Sequence, residues 1–248
     1  MIVLKSLKEI QRMKAPCSIV AEVLKIVVGR VSVGVTTIEL NSIAEKEVAK
    51  RKAKPAFKGY CGYPASLCCS LNSQVVHGIP DNRPLEDGDI LSLDFGAYYD
   101  GFYGDAAVTV PIGNVSEVAI KLISATEKSL LVAIEKSATH NRLSDISNAV
   151  QTYIESKGFS VVRDFVGHGI GRSLHESPQV PNYGLPNTGP KLRSGMVLAI
   201  EPMVNEKSHE VKILADGWTA VTLDGGLSAH FEHTVAITEN GPEILTLI

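Results

Sequence analysis

The chain is poor in cysteine, and what little it has is badly placed for cross-linking. Its 248 residues carry four, Cys17, Cys61, Cys68 and Cys69, with no CxxC spacing, and an adjacent pair makes a weak disulfide framework in a chain of this size. A disulfide-stapled fold and a closed thiolate zinc cage are therefore excluded, and a reducing cytoplasm fits best. No apolar run approaches the ~20 residues that would span a bilayer, and MIVLKSLKEIQRMK lacks the apolar stretch and small-residue cleavage site of a signal peptide. Strong charge of one sign is missing too: 24 Lys and Arg against 27 Asp and Glu leave a net charge of −3, so nothing in the totals favours DNA or a membrane surface as partner. The densest basic run, EKEVAKRKAK, is expected as the wet face of a helix or, alternatively, as a dock for an acidic partner. Three nucleotide and metal signatures are absent as well. There is no GxGxxG after a strand, no lysine-bearing P-loop and no HExxH, since His175-Glu176 lacks a histidine three positions on.

What is present is a globular composition, 44% hydrophobic, enough to bury one large core or two small ones. Ser6 and Glu9 have capping-box spacing before apolar residues at helical intervals, which predicts a helix over 6–29, with Pro16 arguing for a kink or a late start. Thr36 and Glu39 repeat the cap for a second helix through Val48, ended by Pro55. Strands and turns follow over 60–110. Two more helices are predicted over 115–138 and 143–157, stopped by Gly158, and strands and loops return to the end. The order is two helices then strands, twice. GDILSLD (88–94) matches GMVLAIE (195–201) class by class, and YGDAAVTV matches HFEHTVAI more loosely. The expectation is a single domain over 1–248, with duplicated halves of about 1–112 and 113–248.

Each half then delivers two acids, Asp94 and Asp105, then Glu201 and Glu232. In LSLDFGAYYDGFYGD, Asp100-Gly101 is a two-residue hairpin turn that pairs Tyr99 with Phe102, Asp94 with Ala107 and Gly96 with Asp105. Both acids fall on one sheet face, roughly 7 Å apart on the diagonal. Two outcomes are open: Asp94 ends its strand in water and Asp105 is solvated, or both face a cation. Four converging carboxylates repel unless cations intervene, and two divalent ions cancel their charge. An oxygen-rich set with one imidazole suits Mn, Fe, Co or Zn in an open catalytic arrangement. His168, in VGHGIGRSLHESPQVPNYG, is the candidate imidazole, because the three glycines around it admit close backbone approach. The alternative is a loop or core histidine with both nitrogens satisfied. His77 and His175 are candidates for steadying an oxyanion and handing a proton to a leaving amine. His230 shares the Glu232 face and is a weaker candidate for lining the site; His140, His209 and His233 are given no role.

HGIPDNRPLEDGDILSLDFGAYYDGFYGD, GHGIGRSLHESPQV, LAIEPMV, DGWTAVT and SAHFEHTVAIT together resemble the type I methionine aminopeptidases of the pita-bread fold, over nearly the whole chain. The resemblance implies an α+β fold of two pseudo-symmetric halves, with a central curved antiparallel sheet covered by helices. It implies Asp94, Asp105, His168, Glu201 and Glu232 as ligands of two divalent ions, Asp94 on one, His168 and Glu201 on the other, Asp105 and Glu232 bridging. It further implies removal of the N-terminal methionine from nascent proteins with small second residues, through a hydroxide held between the ions. Glu201 would take the proton, His175 would hold the substrate carbonyl and His77 the scissile nitrogen. A methionine pocket would form from Phe57, Tyr60, Tyr63, Cys68, Leu174 and Trp218, each of which is otherwise ordinary core. A monovalent cation is implied near Asn72, Gln74 and Ser228, and the ribosome is the partner a nascent-chain enzyme would need.

Some positions depart from the family. Phe57 and Leu174 redistribute bulk within the pocket, Pro16-Cys17 disturbs the first helix, and His230 stands where Gln is more familiar. The competing enzyme is a proline-specific peptidase of the same fold, disfavoured by Trp218 and by the lack of a long N-terminal domain. The competing non-enzyme is a peptide-binding module that has lost its ligands, which the intact acid set disfavours.

Overall fold

The computed structural model describes residues 1–247 of the chain. Four helices, α1 (Leu7–Val28), α2 (Thr37–Lys50), α3 (Glu117–Glu135) and α4 (Leu143–Ser156), come in two pairs, each followed by strands. The first set of strands is β1 (Lys54–Pro55), β2 (Cys68–Leu71), β3 (Gln74–Val76), β4 (Ile90–Tyr99) and β5 (Phe102–Pro111). The second is β6 (Ser160–Val161), β7 (Gly167–Gly169), β8 (Glu176–Val180), β9 (Val197–Ile200), β10 (Met203–Asn205), β11 (Val211–Ile213), β12 (Ala220–Thr222), β13 (Ser228–His230), β14 (Glu232–Thr238) and β15 (Gly241–Ile244).

Helix starts follow their caps. Ser6 and Glu9 close a reciprocal capping box on α1, and Thr36 and Glu39 do the same on α2. Pro16 does not delay α1, which begins at Leu7 and runs unbroken past it to Val28. The proline removes one backbone donor, but Ile10, Met13, Cys17, Val20 and Val23 are all buried along the same helix. Burial of even two such side chains, about 1.5–3 kcal/mol each, offsets the lost turn. The basic run in α2 is paired locally: Lys50 and Arg51 both reach Glu47, and Arg51 also reaches Glu22.

The main sheet has the strand order β1-β4-β5-β14-β9-β7-β8, with β2 on β4 and β15 on β14, and every pair is antiparallel. Together with the four helices it makes the curled half-barrel of the pita-bread fold. Along β4, Leu91, Leu93, Phe95 and Ala97 pack with Val20, Val23, Leu24 and Val27 of α1 and Leu40, Ala44 and Val48 of α2. In the other half, Leu198, Ile200, Val235 and Ile237 pack with Leu122 and Leu130 of α3 and Ile146 and Val150 of α4. Period-two alternation then turns the intervening β4 residues, Ser92 and Asp94, away from the helices. The two matched segments sit in corresponding places: β4 and β5 on one side of the β5–β14 seam, β9 and β14 on the other.

Candidate active site

The β4–β5 hairpin has the register that its turn demands. Asp100 and Gly101 take φ of 49° and 84°, and Tyr99 pairs with Phe102, Asp94 with Ala107 and Gly96 with Asp105. Across the seam Glu232 pairs with Ala107, which brings a third acid to the same face. Thr234 locks that junction: its hydroxyl donates to the Asp105 carbonyl and accepts from the Asp105 amide, at 2.8 and 3.1 Å. Glu201 follows β9 directly, and Asn182 donates to its backbone carbonyl at 2.9 Å.

His168 lies in β7 between Ala199 of β9 and Gln179 of β8. The flanking glycines are needed for strand packing: a Cβ on Gly167 would collide with the Ala199 carbonyl, and one on Gly169 with that of Ser177. His168 Nδ1 donates to the Gly169 carbonyl at 2.9 Å, which leaves Nε2 unprotonated and aimed at Glu201 Oε1, 3.5 Å away.

Asp105 and Glu232 are sealed, 3% and 2% exposed, whereas Asp94 and Glu201 retain some surface beside the cavity. Among the described residues, Asp94 Oδ1, Asp105 Oδ1 and Glu232 Oε1 are buried with no hydrogen-bond partner. Burial, opposed by His230 and reinforced by Glu201, raises Asp94 from 3.8 to about 7, and burial raises Glu201 from 4.5 to about 8. Asp105 and Glu232 are pushed well above their ordinary values by burial and then by the neighbouring carboxylates. Burial moves His168 the other way, from 6.5 to about 3. Such a set of acids cannot all ionise alone, yet two triads of donor atoms, Asp105–His168–Glu232 and Glu201–His230–Glu232, each lie within 4.8 Å of one another. Orphaned carboxylate oxygens, unprotonated imidazole nitrogens and shared Glu232 fit divalent cations.

The acids open onto a cavity of about 630 Å³. Phe57, Tyr60, Tyr63, Cys68, Leu174 and Trp218 all line it, as do His77 and His175. Cys68 pairs with Asp94 across β2 and β4, so the sulfur side of the pocket abuts the acids. Tyr60 hydroxyl and His175 Nδ1 are 2.8 Å apart, and the His175 ring stands edge-on to His168 at 4.3 Å between centroids. His77, at φ 61°, is held edge-on by Phe165 and Trp218, and burial lowers its pKa from 6.5 to about 4. Further residues line the cavity without having been expected there, among them Met203, Gln179 and Phe165. None of the three carries a usable signal in the sequence: Glu201 and Pro202 lie between β9 and β10, so strand alternation does not link Met203 to Glu201.

Asn72, Gln74 and Ser228 lie outside that cavity lining, around the β2–β3 turn. The Ser228 amide donates to the Asn72 carbonyl at 2.8 Å, and Gln74 Oε1 accepts from the Leu71 amide. His233 points away from the acids toward the Thr246 hydroxyl, 2.8 Å from Nδ1.

This fold, with a buried cluster of acids and imidazoles at its centre, is that of a metallopeptidase. The profile of metallopeptidase family M24 matches residues 11–239, and the chain belongs to that family. Within it, the chain is 58% identical to the methionine aminopeptidase of Clostridium perfringens, with all of both chains covered. It is 51% identical to methionine aminopeptidase 1 of Bacillus subtilis, again over the full length of both. The crystal structure of the Thermotoga maritima methionine aminopeptidase superposes with a TM-score of 0.98 at 48% identity, covering 100% of each chain.

Proposed function

We propose that the chain is a methionyl aminopeptidase: it hydrolyses the first peptide bond of proteins that begin with methionine. One observation carries this reading: unpartnered buried carboxylate oxygens converge at the floor of a cavity whose walls are sulfur, aromatic and aliphatic side chains, in a chain similar end to end to methionine aminopeptidases. Asp94, Asp105, His168, Glu201 and Glu232 would hold two divalent ions, drawn from Mn, Fe, Co or Zn. When bound, such ions supply Lewis acidity, which polarises a carbonyl and makes hydroxide available at neutral pH.

The chain's own groups do the rest. A free amino terminus is drawn to the acid cluster beside Asp94, so the cavity accepts chain ends. Tyr60, Tyr63, Phe57, Cys68, Leu174 and Trp218 enclose the methionine side chain, a polarizable thioether suited to aromatic and sulfur walls. Glu201 takes a proton from the attacking water and returns it to the leaving amine. His175 holds the developing oxyanion: with Tyr60 donating to Nδ1, the ring proton resides on Nε2 as a donor. His77, neutral with a pKa of about 4, donates an N–H to the scissile nitrogen and helps its protonation without serving as an imidazolium acid. Small second residues are preferred because the scissile nitrogen must lie between these two rings. The reading places the enzyme in the cytoplasm, a single catalytic domain of two related halves, acting on nascent chains at the ribosome. A monovalent ion near Asn72, Gln74 and Ser228 would stand outside the reaction.

Hydrolysis of Met-Ala-Ser by metal-free protein reloaded with single metals tests the proposal. Release of free methionine that depends on added ion, with no cleavage of a dipeptide ending in proline, is the expected result. The reverse preference would overturn it.

A further inference from the structure

His230 closes β13 two residues before Glu232, and its ring is 1% exposed. Among the described residues its Nε2 has no hydrogen-bond partner, although the backbone around it is fully engaged. The His230 amide donates to Thr109 Oγ1 and the Thr109 hydroxyl donates to the His230 carbonyl, both at 2.8 Å; Ser92, also 2.8 Å from Thr109 Oγ1, must then be the donor to it. The backbone that carries the ring is thus held in place, while the buried Nε2 is left without a partner on the side of the acids.

That nitrogen lies 3.6 Å from Glu201 Oε2, while His168 Nε2 lies 3.5 Å from Glu201 Oε1. Both separations are long for hydrogen bonds. Donors sharing one four-coordinate ion, with bonds of roughly 2.0–2.1 Å, stand roughly 3.3–3.4 Å apart across a tetrahedral edge. Glu201 therefore has an imidazole nitrogen at ligand-edge spacing from each of its two oxygens. The two donor triads divide the same way, with one histidine in each and Glu232 in both.

We infer that His230 Nε2 is a sixth protein donor to the metal centre, so that the two ions take one imidazole each, His168 on one and His230 on the other. The inference rests on the dinuclear reading given above. Replacing an oxygen position with imidazole makes that ion's environment more nitrogen-rich, which favours zinc, iron or cobalt over manganese at that site.

X-ray absorption on wild-type protein loaded with two equivalents of Co(II), alongside calorimetric titration, tests this without relying on any variant. Two imidazoles per pair of ions are expected in the wild type, and one in His230→Gln, whose weaker Co(II) site loses at least about tenfold in affinity. His230→Asn provides a second variant, and the melting temperature of each metal-free variant reports whether it is folded. Two bound ions with a single imidazole between them in the wild type would overturn the His230 assignment and leave the dinuclear reading standing. Failure of the wild type to bind cobalt at all would overturn both.

Discussion

Tyr60 and His175 form a pair whose members differ in what their loss removes. The His175 ring is the reacting partner in the proposed mechanism; Tyr60 only fixes its tautomer and aim through a single 2.8 Å contact, on a residue that is itself 38% exposed. Loss of one oxyanion donor costs about 10²–10³ in turnover, so His175→Ala is expected to lower kcat by that amount with little change in KM. Tyr60→Phe keeps the ring in the pocket wall and removes one neutral hydrogen bond, about 0.5–1.5 kcal/mol, so its kcat should fall by about tenfold or less. Steady-state kinetics on Met-Ala-Ser checks the order. A Tyr60→Phe enzyme as damaged as His175→Ala would mean that the phenol itself touches the reacting atoms.

Between elements, one tight junction is where α1 crosses β5. A Cβ on Gly104 would stand 2.8 Å from the Cys17 backbone nitrogen and 2.9 Å from its Cα, atoms of a helix that cannot rotate aside. Gly104→Ala is therefore an overpacking change, expected to cost about 1–3 kcal/mol and to lower the melting temperature by about 2–4 °C for each kcal/mol. Metal stoichiometry should fall with it, since Asp105 is the next residue along the strand. Thermal unfolding with a parallel metal assay checks this, and an unshifted melting temperature would show that α1 can yield. The two elements of this junction also differ in how far they are legible in the sequence. Hairpin register is legible because Asp100-Gly101 allows one pairing, and alternation alone then puts Asp94 and Asp105 on one face. Cap spacing likewise locates the starts of α1 and α2. Pro16 misleads, because a local rule about helix starts gives no weight to the buried side chains that hold α1 on the sheet. His230 is ambiguous in the sequence for a related reason: alternation gives a face, but its distance from Glu201 depends on how strands about 30 residues apart in sequence meet.

At the scale of the whole molecule, the acid cluster sets how stability responds to pH when no metal is bound. Asp94 and Glu201 titrate at about 7 and about 8 in the fold against 3.8 and 4.5 ordinarily, and Asp105 and Glu232 lie well above their usual range. Groups raised in this way bind protons in the native state that the unfolded chain has already released, so stability is lost as pH rises through their folded values. His168 and His77 have the opposite sign: lowered from 6.5 to about 3 and about 4, they make the fold less stable as pH drops below 6.5. The two effects offset each other in mildly acidic solution. Above about pH 7 the histidines are neutral in both states and the acids act, joined above about pH 8 with the same sign by the thiols of Cys17, Cys68 and Cys69, which burial also pushes up. Chelator-treated protein is therefore expected to melt at progressively lower temperature from about pH 7 to beyond about pH 8, and saturating Mn(II) should flatten the curve by replacing protons with cations. Asp105→Asn removes one of the buried carboxyls, so its metal-free form should lose less stability over that interval and gain little from Mn(II). Melting curves of both proteins, with and without the ion, decide the matter: a metal-free wild type that grows more stable across this window would mean that the four acids are ionised without a cation, against everything their burial requires.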